Sequence, residues 1–534
     1  MTASIFPRQK TLRALAGAAL ALVVLPGLCV AKGNNGAKGL AVPPQAAAQA
    51  RHVILFIGDG MQLEHEVAYS RYLTGEDFGL AWNRFPYEVP VATWDVTTYN
   101  RYARLRNEPA FSYDAFDPLV GYDPARGGAE RFPLDPTGEA DYFLRPRYAT
   151  DSASAAAAMA TGLKTDDGNI AWLSGDPADG ALTTIAELLR ERAGAAIGVV
   201  STVPFSHATP AAFVSHNVSR NHYYTGRPGF EGRGIADEIV HETRPEVVIG
   251  GGHPNWDTTY VSATLLQDLR QHPEYLLVER EEGRDGGAAL LAGAKEAAKR
   301  GKKLFGLFGG RGGHFEPPVA QHSPGAPTVT PATVENPSLA EAALAALQVL
   351  GRDDDGFFLV VEQGDIDWAN HANDYLWMMG AMHDLHEAVR TAVDFVNRPG
   401  DAIDWTNTLL VVTSDHGNSY MRLVGEPLGA GELPLPQEIV RTGQTPPEGV
   451  APRVTYGTGS HTNELVSLYA NGAATGLFEP YEGSWYPETR IVDNTQIHEV
   501  MIEFATDWTY EGWKPGMPRK PFLFGNGEAR PAAR

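Results

Sequence analysis

The chain has 534 residues, with Lys+Arg 43 against Asp+Glu 65 and a formal net charge of −22. That length excludes a stapled mini-protein or a coiled coil, and 43% hydrophobic with 20% charged residues excludes bulk disorder. The acidic balance argues against a nucleic-acid partner, because non-specific binding relies on a positive surface, so an anionic substrate needs a local cationic site.

Arg8, Lys10 and Arg13 precede an apolar run from Ala14 to Leu25, broken by Pro26 and Gly27 before Cys29-Val30-Ala31. This pattern predicts a signal peptide over 1–31, cleaved near Ala31, and hence export to a periplasmic or extracellular compartment. The run is shorter than the roughly 18 apolar residues of a spanning helix. Leu28 stands where a lipid-attachment site wants Gly or Ala, so no membrane anchor is expected. Cys29 is the only cysteine, so a chain cleaved after Ala31 has neither disulfides nor thiolate metal sites.

Residues 32–50 read as a flexible leader. Short aliphatic runs follow at His52–Ile57, Ala196–Thr202, Val247–Ile249, Lys303–Phe308, Phe357–Glu362 and Leu409–Thr413, the pattern of buried parallel strands. Helical patterns lie between them at Ala153–Thr161, Leu182–Arg192, Leu339–Leu350, with Ser338 as N-cap, and Met379–Val396. The alternation predicts an α/β fold with a central, mostly parallel sheet flanked by helices. Residues 97–148 and 420–456 are rich in turn formers without sustained periodicity and read as large loop insertions. One catalytic domain over 51–515, followed by a tail at 516–534, accounts for motifs scattered from Asp59 to His461.

Several predicted strands end in metal-capable residues: Asp59, Glu362, and Asp415 with His416, while Ala196–Thr202 runs on to His207 and Thr209. Open α/β sheets bind ligands at those ends. Asp367 and His371, four apart, share one helix face and offer half a metal site. Of the 16 histidines only His371, His416 and His461 are wanted as ligands; His52, His253, His322 and His498 read as surface or satisfied polar residues. Ser152 follows Asp151 and opens an Ala-rich helix whose free N–H groups favour an anion beside the hydroxyl. A Ser-His-Asp hydrolase would be the first alternative, but no G-x-S-x-G elbow surrounds Ser152.

HVILFIGDGM, TDSASAAAAMATGLKT, HATPAAF, VSR, VEQGDIDWANHAND, TSDHGN and GSHTNE occur in an order and spacing that resembles the metal-dependent alkaline phosphatases, from residue 51 to about 470. The resemblance implies an alkaline-phosphatase-like sandwich that hydrolyses small-molecule phosphomonoesters through a phosphoserine at a two-zinc plus magnesium site. By that resemblance Ser152 is the nucleophile and Arg220 grips two phosphate oxygens. Asp367, His371 and His461 match one zinc site; Asp59, Asp415 and His416 match the second; and Asp59, Thr209 and Glu362 match magnesium. Three dications and Arg220 outweigh the carboxylates of the site, which answers the acidity of the chain. His207 and Trp368 depart from the best-known bacterial pattern, bearing on the third metal and on phosphate retention as residues around the ligands. The resemblance also suggests a homodimer. The alternatives are a phosphodiesterase of the same superfamily and a non-catalytic phosphate- or metal-binding protein.

Overall fold

The computed structural model describes residues 51–131, 140–224, 226 and 234–506. The segments read as signal peptide, leader and C-terminal tail lie outside the described residues. Ten strands form one sheet: β1 (Arg51–Gly58), β2 (Tyr87–Ala92), β3 (Ala196–Pro204), β4 (Val247–Gly251), β5 (Tyr275–Glu279), β6 (Lys303–Leu307), β7 (Gly356–Gln363), β8 (Thr408–Ser414), β9 (Val466–Gly472) and β10 (Val492–Asp493). Their order is β10-β2-β9-β8-β1-β7-β3-β4-β6-β5. From β8 to β5 every pairing is parallel, and β9 runs antiparallel to both β8 and β2.

The central strands are apolar on both faces because both are covered. Along β1, Val53, Leu55 and Ile57 enter one core while Ile54 and Phe56 enter the other. Phe358 and Val360 of β7 join the first, and Phe357, Leu359 and Val361 the second. All six predicted strands are present. The edge strands β5 and β10 and the antiparallel pair β2 and β9 were not anticipated from the sequence. In β5 only Tyr275 is buried, so it lacks the continuous apolar signature of a central strand.

Ser338 caps the Leu339–Leu350 helix through a reciprocal pair with Glu341, as the sequence predicts. The predicted Leu182–Arg192 helix begins instead at Ile185, where Thr184 and Glu187 form the same capping box. The Met379–Val396 pattern extends back to Tyr375, capped by Asp374. The described residues within 97–148 contain short helices packed around an aromatic cluster that includes Trp94, Tyr99, Tyr102, Tyr122 and Tyr142. Within 420–456, Met421–Leu423, Ile439–Val440 and Val454–Tyr456 make a small three-stranded sheet.

His216 is buried between two helices: Nδ1 lies 2.8 Å from Glu238 Oε1 and Nε2 lies 3.4 Å from Glu187 Oε2. Burial alone would favour the neutral ring, but the two carboxylates overcome it and raise the pKa from 6.5 to about 10. A raised folded pKa contributes stability fully present below pH 6.5 and lost as pH rises through about 10. His216→Gln is therefore expected to cost about 3 kcal/mol near neutral pH. Urea unfolding across pH 6 to 11 checks both the loss and the flattened alkaline limb.

Candidate active site

Four adjacent strands, β8, β1, β7 and β3, deliver the site from their C-terminal ends. Asp59 follows β1, Glu362 is the penultimate residue of β7, Asp415 and His416 follow β8, and the turn after β3 leads through His207 into the Ala208–Val214 helix that carries Thr209. Gly60 must be glycine: its φ is +66° and a Cβ would come within 2.9 Å of Asp367 Oδ1. Asp367 and His371 lie on the Asp365–His371 helix. His461 arrives from far along the chain through the short ladder that pairs Asn418 with His461.

Ser152 opens the Ser152–Thr161 helix, whose small side chains are all buried and permit close packing against the Ala208–Val214 helix. Its Oγ lies 3.2 Å from His416 Nε2 and 3.5 Å from Asp59 Oδ1. Asp151 caps this helix, accepting from the Ser154 N–H at 3.0 Å, and also accepts from Gly168 N at 3.0 Å and Arg220 NH1 at 2.8 Å. Burial would raise its pKa, yet Arg220 and those donors hold it well below the usual carboxylate range. The other Arg220 amino group faces His207 Nε2 at 3.4 Å. Burial and Arg220 push the His207 pKa down to about 3, so the ring is neutral and accepts this bond.

The structure brings every sequence-predicted ligand into this region. Asp59, Asp415 and His416 offer ligand atoms all within 4.8 Å of one another, as do Asp367, His416 and His461. His371 Nε2 is 3.3 Å from Asp367 Oδ2 and 3.1 Å from His461 Nε2. His371 Nδ1 donates to Gly459 O and His461 Nδ1 to Thr150 O, both at 2.8 Å, which leaves each Nε2 turned toward Asp367. Asp59, Thr209 and Glu362 each keep one buried oxygen without a protein partner: Oδ2, Oγ1 and Oε1. An all-oxygen set of this kind suits a hard cation, and the imidazole–carboxylate sets suit zinc.

Electrostatics point the same way. Burial and the neighbouring carboxylates push Asp59 far above its ordinary value, Glu362 rises to about 8 and Asp415 to about 6. Asp367 moves the other way: burial opposes its charge, but His461 and His371 hold it ionised. In return His461 rises to about 9, Asp367 outweighing burial. So many buried acids side by side describe a protein surface shaped around positive charge it does not itself supply.

Sequence reasoning missed the residues that orient these groups. The Asn418 amide donates to Asp367 Oδ1, the Ser201 hydroxyl donates to Glu362, and Gly60 N donates to Asp415 Oδ1 at 2.9 Å. His314, hydrogen-bonded to Asp365, stands 5.0 Å from the Trp368 ring, with His207 5.6 Å from the same ring. Ser201 and Asn418 lie within segments already singled out, the strand Ala196–Thr202 and the motif TSDHGN, but His314 carries no local signal. His253 and His498 are buried and bonded to Glu279 and Ala160 O, whereas His52 is buried in a tilted contact with Phe357 and its Nδ1 has no hydrogen-bond partner among the described residues, so it is neither a surface nor a satisfied polar residue.

A serine hydroxyl at a helix start, an arginine beside it and clustered carboxylates and imidazoles on the C-terminal edge of an α/β sheet define the class of metal-dependent hydrolases. The family model for alkaline phosphatase matches residues 122–478. Alkaline phosphatase 3 of Bacillus subtilis is 28% identical over 489 residues, covering 89% of this chain and 84% of that one. The Escherichia coli alkaline phosphatase is 33% identical over 320 residues, 55% of this chain and 64% of its own length. Streptomycin-6-phosphate phosphatase of Streptomyces griseus is 28% identical over 499 residues, 86% of this chain and 91% of that one. Among solved structures, the alkaline phosphatase of the Antarctic bacterium TAB5 shares the fold with a TM-score of 0.52 at 19% identity, covering 86% of this chain and 99% of that one. The chain belongs to the alkaline phosphatase family.

Zinc titrated into chelator-stripped protein is expected to raise the Tm, since ligand binding to the folded state alone stabilises it. Asp367→Ala should remove most of that rise. Calorimetry decides it, and a wild-type Tm indifferent to zinc contradicts a metal centre here.

Proposed function

We propose that this protein is an exported alkaline phosphatase that hydrolyses phosphate monoesters to alcohol and inorganic phosphate through a phosphoserine on Ser152. The observation that carries this reading is the placement of Ser152 Oγ 3.2 Å from His416, in a cavity of about 580 Å³ that Arg220, His371 and His461 also line. Two zinc ions would be held by Asp367, His371 and His461 and by Asp59, Asp415 and His416, and magnesium by Asp59, Thr209 and Glu362. Bound there, these ions supply the positive charge that lowers the pKa of the serine hydroxyl and compensates the departing alkoxide.

Arg220 presents its fork to two non-bridging oxygens, which favours a terminal phosphate over a diester. The N–H groups at the start of the Ser152–Thr161 helix add a fixed positive end beside the hydroxyl. Ser152 Oγ forms its bond to phosphorus as the bond to the leaving oxygen breaks, and the alcohol departs with a proton. Water then attacks phosphorus from the vacated side; the phosphorus–Oγ bond breaks, phosphate leaves and the serine recovers its proton. Asp151 holds Arg220 in place during both displacements.

The signal-peptide pattern ending near Ala31 supports the localisation. Trp368 stands over the cavity where it offers phosphate a single weak donor.

With p-nitrophenyl phosphate at pH 9, Ser152→Ala is expected to lower kcat/KM by about 10³-fold or more. Acid quench of the wild type with labelled phosphate should trap label on Ser152. Stoichiometric phosphate binding without turnover would favour the non-catalytic binder instead. Trp368→Lys is expected to tighten product inhibition, read as a lower Ki for inorganic phosphate; a Ki equal to or above that of the wild type removes the role assigned to Trp368.

A further inference from the structure

The cavity above Ser152 is larger than one phosphate needs, and its rim carries two guanidiniums that the chemistry at phosphorus does not use, those of Arg101 and Arg147. Of the acids lining the same cavity, Asp151 is bonded to Arg220, and Asp367 is held between His371 and His461. That leaves Asp167 as the one acid facing two arginines at the rim. Among the described residues neither Arg101 nor Arg147 is ion-paired, and both reach solvent.

Both arginines sit on segments tied to the nucleophile. Arg101 belongs to the Val96–Arg106 helix, whose cap Asp95 accepts from Thr98 N at 2.6 Å and from Ser154 Oγ at 3.1 Å, inside the first turn of the Ser152–Thr161 helix. Thr97 on the same helix accepts from Asp167 N at 3.0 Å. Arg147 lies five positions before Ser152, and its carbonyl accepts a hydrogen bond from Arg101 NH1, which joins the two arms. The rim charge is therefore held in register with the reacting hydroxyl.

Resting on the phosphomonoesterase reading, we infer that Arg101 and Arg147 form a subsite for a second anionic group on the leaving alcohol, so that the preferred substrates are phosphomonoesters also bearing a carboxylate or another phosphate. Arg220 and the metal-ligand cluster take the phosphate to be transferred; the rim arginines take the other anion and orient the ester toward Ser152. Asp167 limits the net charge there and lets product leave.

The test compares kcat/KM for esters sharing a three-carbon chain: propyl phosphate, 3-phosphonooxypropanoate, propane-1,3-diyl bisphosphate and 3-aminopropyl phosphate, the bisphosphate rate being halved for its two equivalent phosphates. The fully metallated wild type is expected to favour the anionic esters over propyl phosphate by about tenfold, and to disfavour the amine. The carboxylate and bisphosphate arms tell which anion is preferred. Arg101→Gln/Arg147→Gln should collapse the ratio toward one, and Arg101→Lys should keep most of it. Calorimetric binding of the same esters to Ser152→Ala reads the subsite without turnover, so an inactive wild type would overturn the phosphatase reading while still judging the subsite. Equal ratios in wild type and double variant, or equal binding of the neutral and anionic esters, overturn the inference.

Discussion

Buried carboxylates that crowd one another must be compensated, and the whole edge of the sheet is arranged around that requirement. Asp59, Glu362, Asp367 and Asp415 are all buried, and the first, second and fourth are pushed upward by burial, with neighbouring acids adding to the shift. Only Asp367 has enough imidazole about it to stay charged unaided. A protein that kept these groups for stability alone would gain by replacing them with apolar residues. Their gathering at the ends of adjacent parallel strands, with Asp367 on the short helix that follows one of them, makes sense as a receptor for cations.

The scaffold meets this demand by splitting labour between strands and short helices. Parallel strands place Asp59, Glu362 and Asp415 at fixed spacing because their registers are locked by two dry cores, one on each face. The remaining groups of the site come instead from helices and ladders after the sheet: Ser152, Thr209, Asp367 and His461. The aromatic cluster under residues 97–148 anchors this second tier. Trp94 donates to the Tyr486 hydroxyl at 2.8 Å, and the buried Lys164–Asp493 pair at 2.9 Å lies beneath the same ring.

The six central strands were legible because a strand covered on both faces is written as an uninterrupted apolar run. The strand β5 and the antiparallel strands were not, since partial exposure or pairing beyond the parallel block breaks that signature. Metal-capable residues were legible in the same way, as polar punctuation where an apolar run stops. The groups that aim them were not. Asn418 stands inside TSDHGN with no assigned role, because an amide carries no ligand signal, and His314 lies some fifty positions before Asp365. Helix starts shifted by up to one turn at Ile185 and Tyr375, where side-chain capping rather than apolar periodicity sets the first residue.

Asp151 serves three masters at once: it caps the nucleophile's helix, receives the Gly168 N–H and grips Arg220. The separation between attacking hydroxyl and phosphate clamp is thus measured across one side chain rather than along the sixty-eight residues that separate Ser152 from Arg220 in sequence. Length changes confined to the exposed turn at 175–179 would leave that gauge unchanged, whereas Gly168, which bonds both Asp151 and Arg220, belongs to it. Such an exposed turn is where a lineage, or an engineer, can rewrite the outside of the molecule while the reacting distance, set by the buried helix and strand on either side of it, stays inherited.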